Sequence, residues 1–429
     1  MLLNVQMLRA VAAFLVVFVH LAKLAAMAGL PDGWTYFGNS GVDLFFVISG
    51  MIMVMTTAGG RQTPLGFLRN RLTRIAPLYW TITFAVFAIA LAAPSLMQST
   101  TADPIHLAKS LAFIPSARGD GQMHPTVFVG WTLNYEMMFY VLFALGMMLP
   151  GRWLGLAATG GVLVALVVGG RALQPHNPVA QFYIQPVILE FGAGMVLGAW
   201  LPHERTSPSW RWPAAIMGSL AFVLMLAGAW IWPQLDRAIV FGIPAVVVVA
   251  CAVVAERCGL ASRQGWIQLL GAASYAVYLT HFFCTQIVVK VAEHLHAGPA
   301  LAYALAPVAF AMAAVVGVVA HRRIELPLTE RTRRLLAPSH KARPAPTARA
   351  EAARSDRHVV DEPGLAEDGG GEDAGGALDR ARPQPREVFR AAHLHIVDPA
   401  EAGGGERRYR FGLDLGDAGA AVQAGDRGL

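Results

Sequence analysis

Residues 299–320 read PALAYALAPVAFAMAAVVGVVA and contain no charged side chain. A helix that rises about 1.5 Å per residue needs roughly 20 apolar residues to cross a hydrocarbon core about 30 Å thick. The stretch is therefore long and apolar enough to span a membrane. It lacks the two-residue alternation of a membrane β-strand, so we interpret it as a transmembrane helix.

Further apolar runs, each of about 17 to 25 residues, precede this stretch. Their approximate spans are 7–28, 41–57, 77–97, 131–150, 153–170, 181–201, 212–232, 237–255 and 267–289. Of all 429 residues, 55% are hydrophobic and only 14% are charged, against about 25% charged in ordinary globular chains. The sequence thus predicts an all-α polytopic membrane protein with about ten transmembrane helices, and it argues against a soluble enzyme.

Charge and composition divide the chain in two. Residues 336–429 hold 13 of the 34 Lys and Arg and 16 of the 28 Asp and Glu, whereas residues 1–335 carry a net charge of +9. The C-terminal part is rich in Pro, Ala, Gly and charged residues, and cannot bury enough apolar surface to offset chain entropy. We therefore predict a transmembrane domain over 1–335 and a polar, disordered cytoplasmic tail over 336–429.

The basic residues predict the orientation, because Lys and Arg accumulate in cytoplasmic connections. With the N-terminus inside, fourteen basic residues fall on cytoplasmic connections and six on outer ones. Both termini are therefore expected in the cytoplasm, and no nucleic-acid partner is implied. An alternative for the first run is a signal peptide cleaved near Ala26 and Ala28, although few positive charges precede that run.

Ionisable residues inside membrane helices are costly, and each is a functional candidate. Arg9 and His20 lie 11 residues apart, which brings them to within about 20° of one helix face and separates them by roughly 16 Å. One stripe of the first helix thus presents a cation near the cytoplasmic surface and an imidazole in the outer half. A membrane anchor for Arg9 and an interhelical hydrogen bond for His20 are the alternatives.

Three further ionisable residues fall near the outer ends of apolar runs. Asp43 follows Ser40 at the spacing of a capping box, which is also its structural alternative. Glu136 is about one and a half turns inside the fourth run, at a depth similar to that of His20, where a carboxylate can orient an imidazole or bind a sugar hydroxyl. A helix-dipole acid is the alternative for Glu136, and an interfacial histidine is the alternative for His281.

Closely spaced arginines precede the third run. Arg71 and Arg74 are three residues apart, so on a helical turn they project to one side and can grip a phosphorylated ligand through forked hydrogen bonds. Anchoring at the cytoplasmic surface is the alternative for each. No metal site is expected, because the three cysteines have no ligand spacing.

Taken together, these segments resemble the integral-membrane acyltransferase 3 family. The resemblance covers roughly residues 4–330 and rests on six blocks in family order. They are Arg9-x10-His20, GVDLFFVISG at 41–50, FLRNRLTRIAPLYW at 67–80, GWTLNYEMMFY at 130–140, YAVYLTHFF at 275–283 and HRRIELPL at 321–328. The opening segment, the PLYW block and ILEFGAGMVLG at 188–198 look most like the branch that acetylates exopolysaccharides. The tail has no counterpart in the resemblance.

The resemblance implies transfer of an acyl group, usually acetyl from cytoplasmic acetyl-CoA, to a hydroxyl of a glycan at a bacterial inner membrane. It implies a catalytic role for His20, with Arg9 holding the CoA side or the helix. A neutral imidazole with its ordinary pKa of about 6.5 can remove a hydroxyl proton as the oxygen attacks a thioester. Glu136 is then expected to orient His20 or the acceptor, and Arg71 and Arg74 to meet CoA phosphates.

Asp43, Tyr135 and His281 are expected to contact the acceptor, a glycan or lipid-linked saccharide. Membrane lipid and polysaccharide assembly machinery are the other expected partners. The rival interpretation is a proton-coupled transporter or flippase for lipid-linked sugars or small acids, since ten helices with buried ionisable residues suit either class. The two halves of the sequence show no inverted repeat, which disfavours the transporter.

Overall fold

The computed structural model describes residues 2–60, 62–94, 102–117, 123–201 and 207–336. The predicted tail lies outside these residues except for position 336, as do Arg61, Arg118 and Arg205 of the orientation argument. Within the described ranges the chain is helical and has no β-strand. The all-α prediction is therefore confirmed for them.

The described α-helices follow one another along the chain as fifteen segments. They are α1 (Leu3–Val19), α2 (Ala22–Met27), α3 (Ser40–Thr57), α4 (Pro64–Ala92), α5 (Pro104–Leu111), α6 (Trp131–Gly146), α7 (Arg152–Leu173), α8 (Pro178–Tyr183), α9 (Leu189–Trp200), α10 (Arg211–Ile231), α11 (Ile243–Arg257), α12 (Gly265–Ala272), α13 (Ser274–His294), α14 (Pro299–Ala320) and α15 (Leu326–Leu336). Two π-helical segments, Ala238–Gly242 and His321–Glu325, lead into α11 and α15.

Eight helical stretches in the described part are long and apolar enough to cross a membrane. They are Tyr36–Thr57, Pro64–Ala92, Phe128–Gly146, Arg152–Leu173, Pro208–Ile231, Ala238–Arg257, Ser274–His294 and Pro299–Leu336. Two shorter apolar helices, Leu3–Val19 and Pro186–Trp200, fall in the first and sixth predicted runs. Every predicted run thus contains helix, which gives the polytopic membrane fold that the sequence predicts.

The first predicted span is wrong in one respect, because the helix does not run unbroken over 7–28. The side chain of His20 hydrogen-bonds through Nδ1 to the carbonyl of Val16 at 2.8 Å. That carbonyl would otherwise accept the backbone N–H of His20, which turns to Val17 instead, at 3.2 Å. The imidazole therefore ends α1 at Val19, and the chain begins α2 at Ala22.

The capping box considered at the start of α3 does not form. Asn39 is the residue that precedes the helix, and no side chain caps its first turn. The hydroxyl of Ser40 donates backwards to the carbonyl of Phe37 at 2.6 Å. Because the chain already enters α3 through a 3₁₀ turn, Asp43 is left available for a partner from elsewhere in the bundle.

Helix α1 lies at the centre of the bundle, against α3, α12 and α13. The most extensive helix pair is α3 with α9, and glycines allow their close approach. A Cβ atom on Gly50 would collide with the backbone carbonyl of Phe191, and one on Gly194 with that of Val47. This packing fixes the helices that carry the polar groups described next.

Candidate active site

Two histidines meet at the end of α1. His20 lies just beyond the last residue of α1, and His281 lies in the second turn of α13. His281 Nε2 and His20 Nδ1 are 3.2 Å apart, and the two ring centroids are 4.9 Å apart. His281 is fully buried, whereas His20 retains 8% exposure. The structure thus joins two residues that are separated by 261 positions in the sequence.

Carbonyl oxygens determine where the protons of this pair lie. His281 Nδ1 is 2.6 Å from the carbonyl oxygen of Tyr278, and His20 Nδ1 is 2.8 Å from that of Val16. A carbonyl can only accept, so in the neutral rings both Nδ1 atoms carry the proton. His281 Nε2 then accepts from His20 Nδ1–H, and His20 Nε2 keeps its lone pair. This is the protonation state that a general base requires.

Aromatic rings surround the pair. Phe128 and Phe282 approach His20 edge to face, with centroids at 5.9 and 5.6 Å. The hydroxyl of Tyr278 donates to the carbonyl of Val129 at 2.8 Å and contacts the hydroxyl of Thr132 at 3.1 Å. These contacts tie α13 to the start of α6 and hold the backbone that orients His281.

A second polar group surrounds Arg9, in the first half of α1. Arg9 is fully buried and donates to Gln6 Oε1 at 3.2 Å and to Ser274 Oγ at 3.0 Å. It interacts electrostatically with Arg74, Glu325 and Glu136. Arg9 is therefore part of an interior cluster, and the interpretation as a surface anchor does not fit its burial.

Arg71 and Arg74 extend this arginine cluster from α4, and both are buried. Arg71 Nη2 donates to Thr56 Oγ1 at 3.1 Å, and its guanidinium lies 5.2 Å from the ring of Phe67. Arg74 forms an ion pair with Glu325, whose other carboxylate oxygen is 2.7 Å from His321 Nδ1. The π-helical segment before α15 thus brings Glu325 to Arg74 and holds the same carboxylate with His321.

Glu136 belongs to the arginine cluster in the structure. Its carboxylate accepts hydrogen bonds from Ser49, at 3.2 Å, and from Tyr140. Arg71 and Arg9 are its basic electrostatic neighbours. The group that meets the ring of His20 is His281, so the orienting contact expected of Glu136 is made by His281.

Asp43 is placed in a buried ion pair. Arg237 Nη2 lies 2.7 Å from Asp43 Oδ2 and also donates to the carbonyl of Asn39 at 3.1 Å. Glu190 interacts electrostatically with both Asp43 and Arg237. The aspartate holds α3 to the start of α11, and this pairing opposes the direct acceptor contact expected from the sequence.

Tyr135 is also held inside the protein, by contacts with Phe182. Its ring stacks on Phe182 with centroids 4.1 Å apart, and its hydroxyl donates to the carbonyl of the same residue. It is fully buried. Of the three residues expected to contact the acceptor, His281 is the one that the structure places against His20.

Sequence reasoning missed Glu325, His321 and Ser274 as members of the site. Glu325 and His321 lie in the block HRRIELPL, in which an acid follows an imidazole by four residues in an otherwise basic segment. That isolated acid was the available signal for a partner of the nearby arginines. Ser274 is one of many serines, and nothing in its sequence context marks it.

A family model, Acyl_transf_3, described as an acyltransferase domain, matches residues 2–322. The chain belongs to the acyltransferase 3 family. The match includes the histidine pair and all three arginines of the cluster, and the resemblance seen in the sequence blocks is confirmed. The protein is therefore a multi-pass membrane acyltransferase.

One relative is the exopolysaccharide production protein ExoZ of Rhizobium meliloti (strain 1021). It is 35% identical to this chain over 304 residues, which is 69% of this chain and 91% of the relative. This similarity agrees with the branch that the opening segment and the PLYW block suggested. No solved structure matches the chain significantly.

Proposed function

We propose that this acyltransferase moves an acetyl or another short acyl group from acyl-CoA to a hydroxyl of an exopolysaccharide or other cell-surface glycan precursor. The observation that carries the proposal is the separation of two chemically different groups along α1. His20 offers an unprotonated Nε2, and the arginine cluster (Arg9, Arg71 and Arg74) lies toward the other end of the helix. The name of the relative ExoZ supports the choice of acceptor.

His20 acts on the acceptor in this mechanism. Its Nε2 takes the proton of the hydroxyl while the oxygen attacks the carbonyl carbon of the thioester. The tetrahedral intermediate collapses with cleavage of the C–S bond, and the imidazolium returns the proton to the departing thiolate. The products are an ester and free CoA. His281, which accepts from Nδ1–H, stabilises the positive charge that forms on His20 in the first step.

The arginine cluster suits the donor. Three guanidinium groups outnumber the two carboxylates, Glu136 and Glu325, so the cluster favours an anion such as a CoA phosphate. Arg9 and His20 are 11 residues apart on α1, which corresponds to roughly 16 Å of helix rise. An extended pantetheine arm spans that distance. The donor then enters from the cytoplasmic face of a bacterial inner membrane and the acceptor from the outer face.

The test uses the purified full chain in lipid nanodiscs with acetyl-labelled acetyl-CoA and exopolysaccharide freed of its esters by mild base. The expected result is release of free CoA and alkali-labile label on the glycan. His20→Ala is expected to abolish both, whereas the exposed His176→Ala serves as a matched control. A thioester left intact by the wild-type chain in nanodiscs, with saccharide moved into the lumen when the same chain is reconstituted in sealed liposomes, would establish the transporter instead.

A further inference from the structure

Three aromatic side chains lie partly exposed beside the end of α1. Trp34, Tyr36 and Trp230 are 38%, 43% and 45% exposed, and we refer to them as the aromatic platform. The rings of Trp34 and Trp230 stack with centroids 5.0 Å apart and planes inclined by 27°. Phe37 supports Trp230 edge to face at 5.2 Å. The rings are therefore held in place by packing while part of each stays accessible.

The aromatic platform adjoins the histidine pair. The hydroxyl of Thr35, between the two platform residues of the loop, donates to the carbonyl of Val19 at 3.4 Å. Phe37 packs on Phe18 in the last turn of α1, with centroids at 4.8 Å. Val19 immediately precedes His20. The platform thus lies at the same end of the bundle as the proposed general base. The loop that carries Trp34 and Tyr36 is hydrogen-bonded to the residue before His20.

Two exposed tryptophans at the starts of α7 and α10 have an environment that differs from that of the aromatic platform. Trp212, at the start of the helix that ends near Trp230, has the guanidinium of Arg211 5.5 Å from its ring. Trp153, at the start of α7, has Arg152 at the same distance. A tryptophan beside an arginine is typical of anchoring at an anionic lipid surface.

The residue near Trp34 in the sequence is an acid, whereas each of those anchors follows an arginine. Asp32 is exposed two residues before Trp34, and no arginine lies over either platform tryptophan among the cation–ring pairs of the described chain. A carboxylate repels anionic lipid headgroups, and an acyl chain offers it no hydrogen bond. A pyranose offers both an apolar C–H face for ring stacking and hydroxyl donors for a carboxylate.

We propose that Trp34, Tyr36 and Trp230 bind the acceptor saccharide by ring stacking, with Asp32 accepting from its hydroxyls, and so deliver a sugar hydroxyl to His20. The inference rests on the proposed function and names the acceptor side of that site. The glycan is then recognised by the segment between α2 and α3 together with Trp230 of α10.

The test compares the wild-type chain with the double variant Trp34→Ala/Trp230→Ala in nanodiscs. The KM for de-esterified oligosaccharides of the exopolysaccharide is expected to rise about tenfold, with kcat and the KM for acetyl-CoA unchanged, because the variant removes both rings on which the sugar stacks. Trp34→Phe/Trp230→Phe retains stacking and is expected to stay near wild type. Trp212→Ala is the matched control on the same helix and leaves the KM for the oligosaccharide unchanged.

A second measurement separates binding from turnover. Calorimetric titration of the same oligosaccharides into His20→Ala is expected to give a Kd that weakens about tenfold when Trp34→Ala/Trp230→Ala is added. Saccharide binding that depends on the tryptophans supports the platform even if the wild-type chain transfers no acetyl group. The absence of acetyl transfer would overturn the proposed function and leave the platform standing. An unchanged KM and Kd in the double variant, or an equal loss in Trp212→Ala, would overturn the platform.

Discussion

His281 Nε2 is the second acceptor for the Nδ1–H of His20, and we expect its effect on rate to come from this hydrogen bond rather than from its volume. His281→Ala leaves His20 Nδ1–H without its second acceptor and removes the group that stabilises the imidazolium. We expect kcat to fall, but by less than the 10²- to 10⁴-fold loss typical for removal of the general base in His20→Ala. Acetyl transfer at saturating substrate measures the difference.

His281→Gln provides the control for that prediction. The amide oxygen of glutamine reaches the position of Nε2 and can accept from His20, so this variant is expected to retain most of the rate that alanine loses. A glutamine variant as slow as the alanine variant would contradict the assignment. Wild-type rates in both His281→Ala and His281→Gln would contradict the assignment as well.

Arg74 and Glu325 form a buried ion pair, and removal of one partner leaves the other charge uncompensated. Arg74→Ala is therefore expected to destabilise the protein by about 3–5 kcal/mol in addition to weakening CoA binding. The double variant Arg74→Ala/Glu325→Gln removes both charges, and we expect it to recover thermal stability without recovering affinity. Thermal unfolding and calorimetric titration of CoA measure the two effects separately. Full recovery of CoA affinity in the double variant would show that Arg74 serves only the fold.

Lysine substitutions at Arg71 and Arg74 test the donor site while keeping both positive charges, including the charge that pairs with Glu325. Arg71→Lys keeps the charge but loses the planar fork of the guanidinium. Combined with Arg74→Lys, it is expected to weaken CoA binding by about 1.5–3 kcal/mol, the range for a charge-assisted hydrogen bond, and to leave saccharide binding unchanged. Equal CoA affinity in the lysine variants would refute the forked phosphate contact.

The membership of the site could be predicted from the sequence only in part. The cost of burying Arg9, His20 and His281 in a membrane made them candidates, and the three-residue spacing of Arg71 and Arg74 did so for those two. The structure brings each of the five into one of two clusters. The pairing was not predictable, because partners such as His20 and His281 are joined only by the packing of α1 against α13. Depth estimates along single helices placed Glu136 beside His20, but a depth carries no information on which neighbour a side chain faces.

Close packing of α3 against α9 depends on the absence of side chains at three positions. Gly50, Gly194 and Gly198 each face the backbone of the opposite helix. Gly194→Val is expected to push the helices apart and to destabilise the protein by about 1–3 kcal/mol or more, since a packed interior does not accept added volume. Thermal unfolding in detergent measures this loss. Gly192→Ala is the matched control, because the contact its Cβ would make first, at 3.8 Å to Leu163, is an ordinary one.

Helix breaks were harder to predict than helices. Hydropathy located every apolar run, since apolar length is a property of the sequence alone. The break after Val19 arises because one imidazole nitrogen competes with the backbone for the carbonyl of Val16. The division between α12 and α13 falls at Ala273, inside a run that hydropathy reads as continuous. An average of hydropathy over about twenty residues does not detect interruptions as short as these.

The ion pairs of the structure can be compared with the two faces that the basic residues predict. Four of the six basic residues assigned to the outer side have acidic partners in the structure. The pairs are Lys23 with Glu293, Arg171 with Asp236, Arg237 with Asp43, and Lys290 with Glu293. Arg322 and Arg323, assigned to the inner side, are exposed at the end of α14. Arginines assigned to the inner side are paired as well, Arg74 with Glu325 and Arg333 with Glu330, so the predicted orientation continues to rest on the distribution of the basic residues.

Single cysteines can test the orientation that the basic residues predict for the whole molecule. Cys251, Cys258 and Cys284 are the three cysteines of the sequence, so a background with serine at all three has no thiol to label. Gln234→Cys, in the exposed connection after α10, is expected to react with a membrane-impermeant maleimide in intact spheroplasts. Arg322→Cys is expected to react only after permeabilisation, because Lys- and Arg-rich ends stay in the cytoplasm. The reverse pattern would place the arginine cluster away from cytoplasmic acyl-CoA and so exclude the proposed direction of transfer, since His20 and the aromatic platform would then face the cytoplasm.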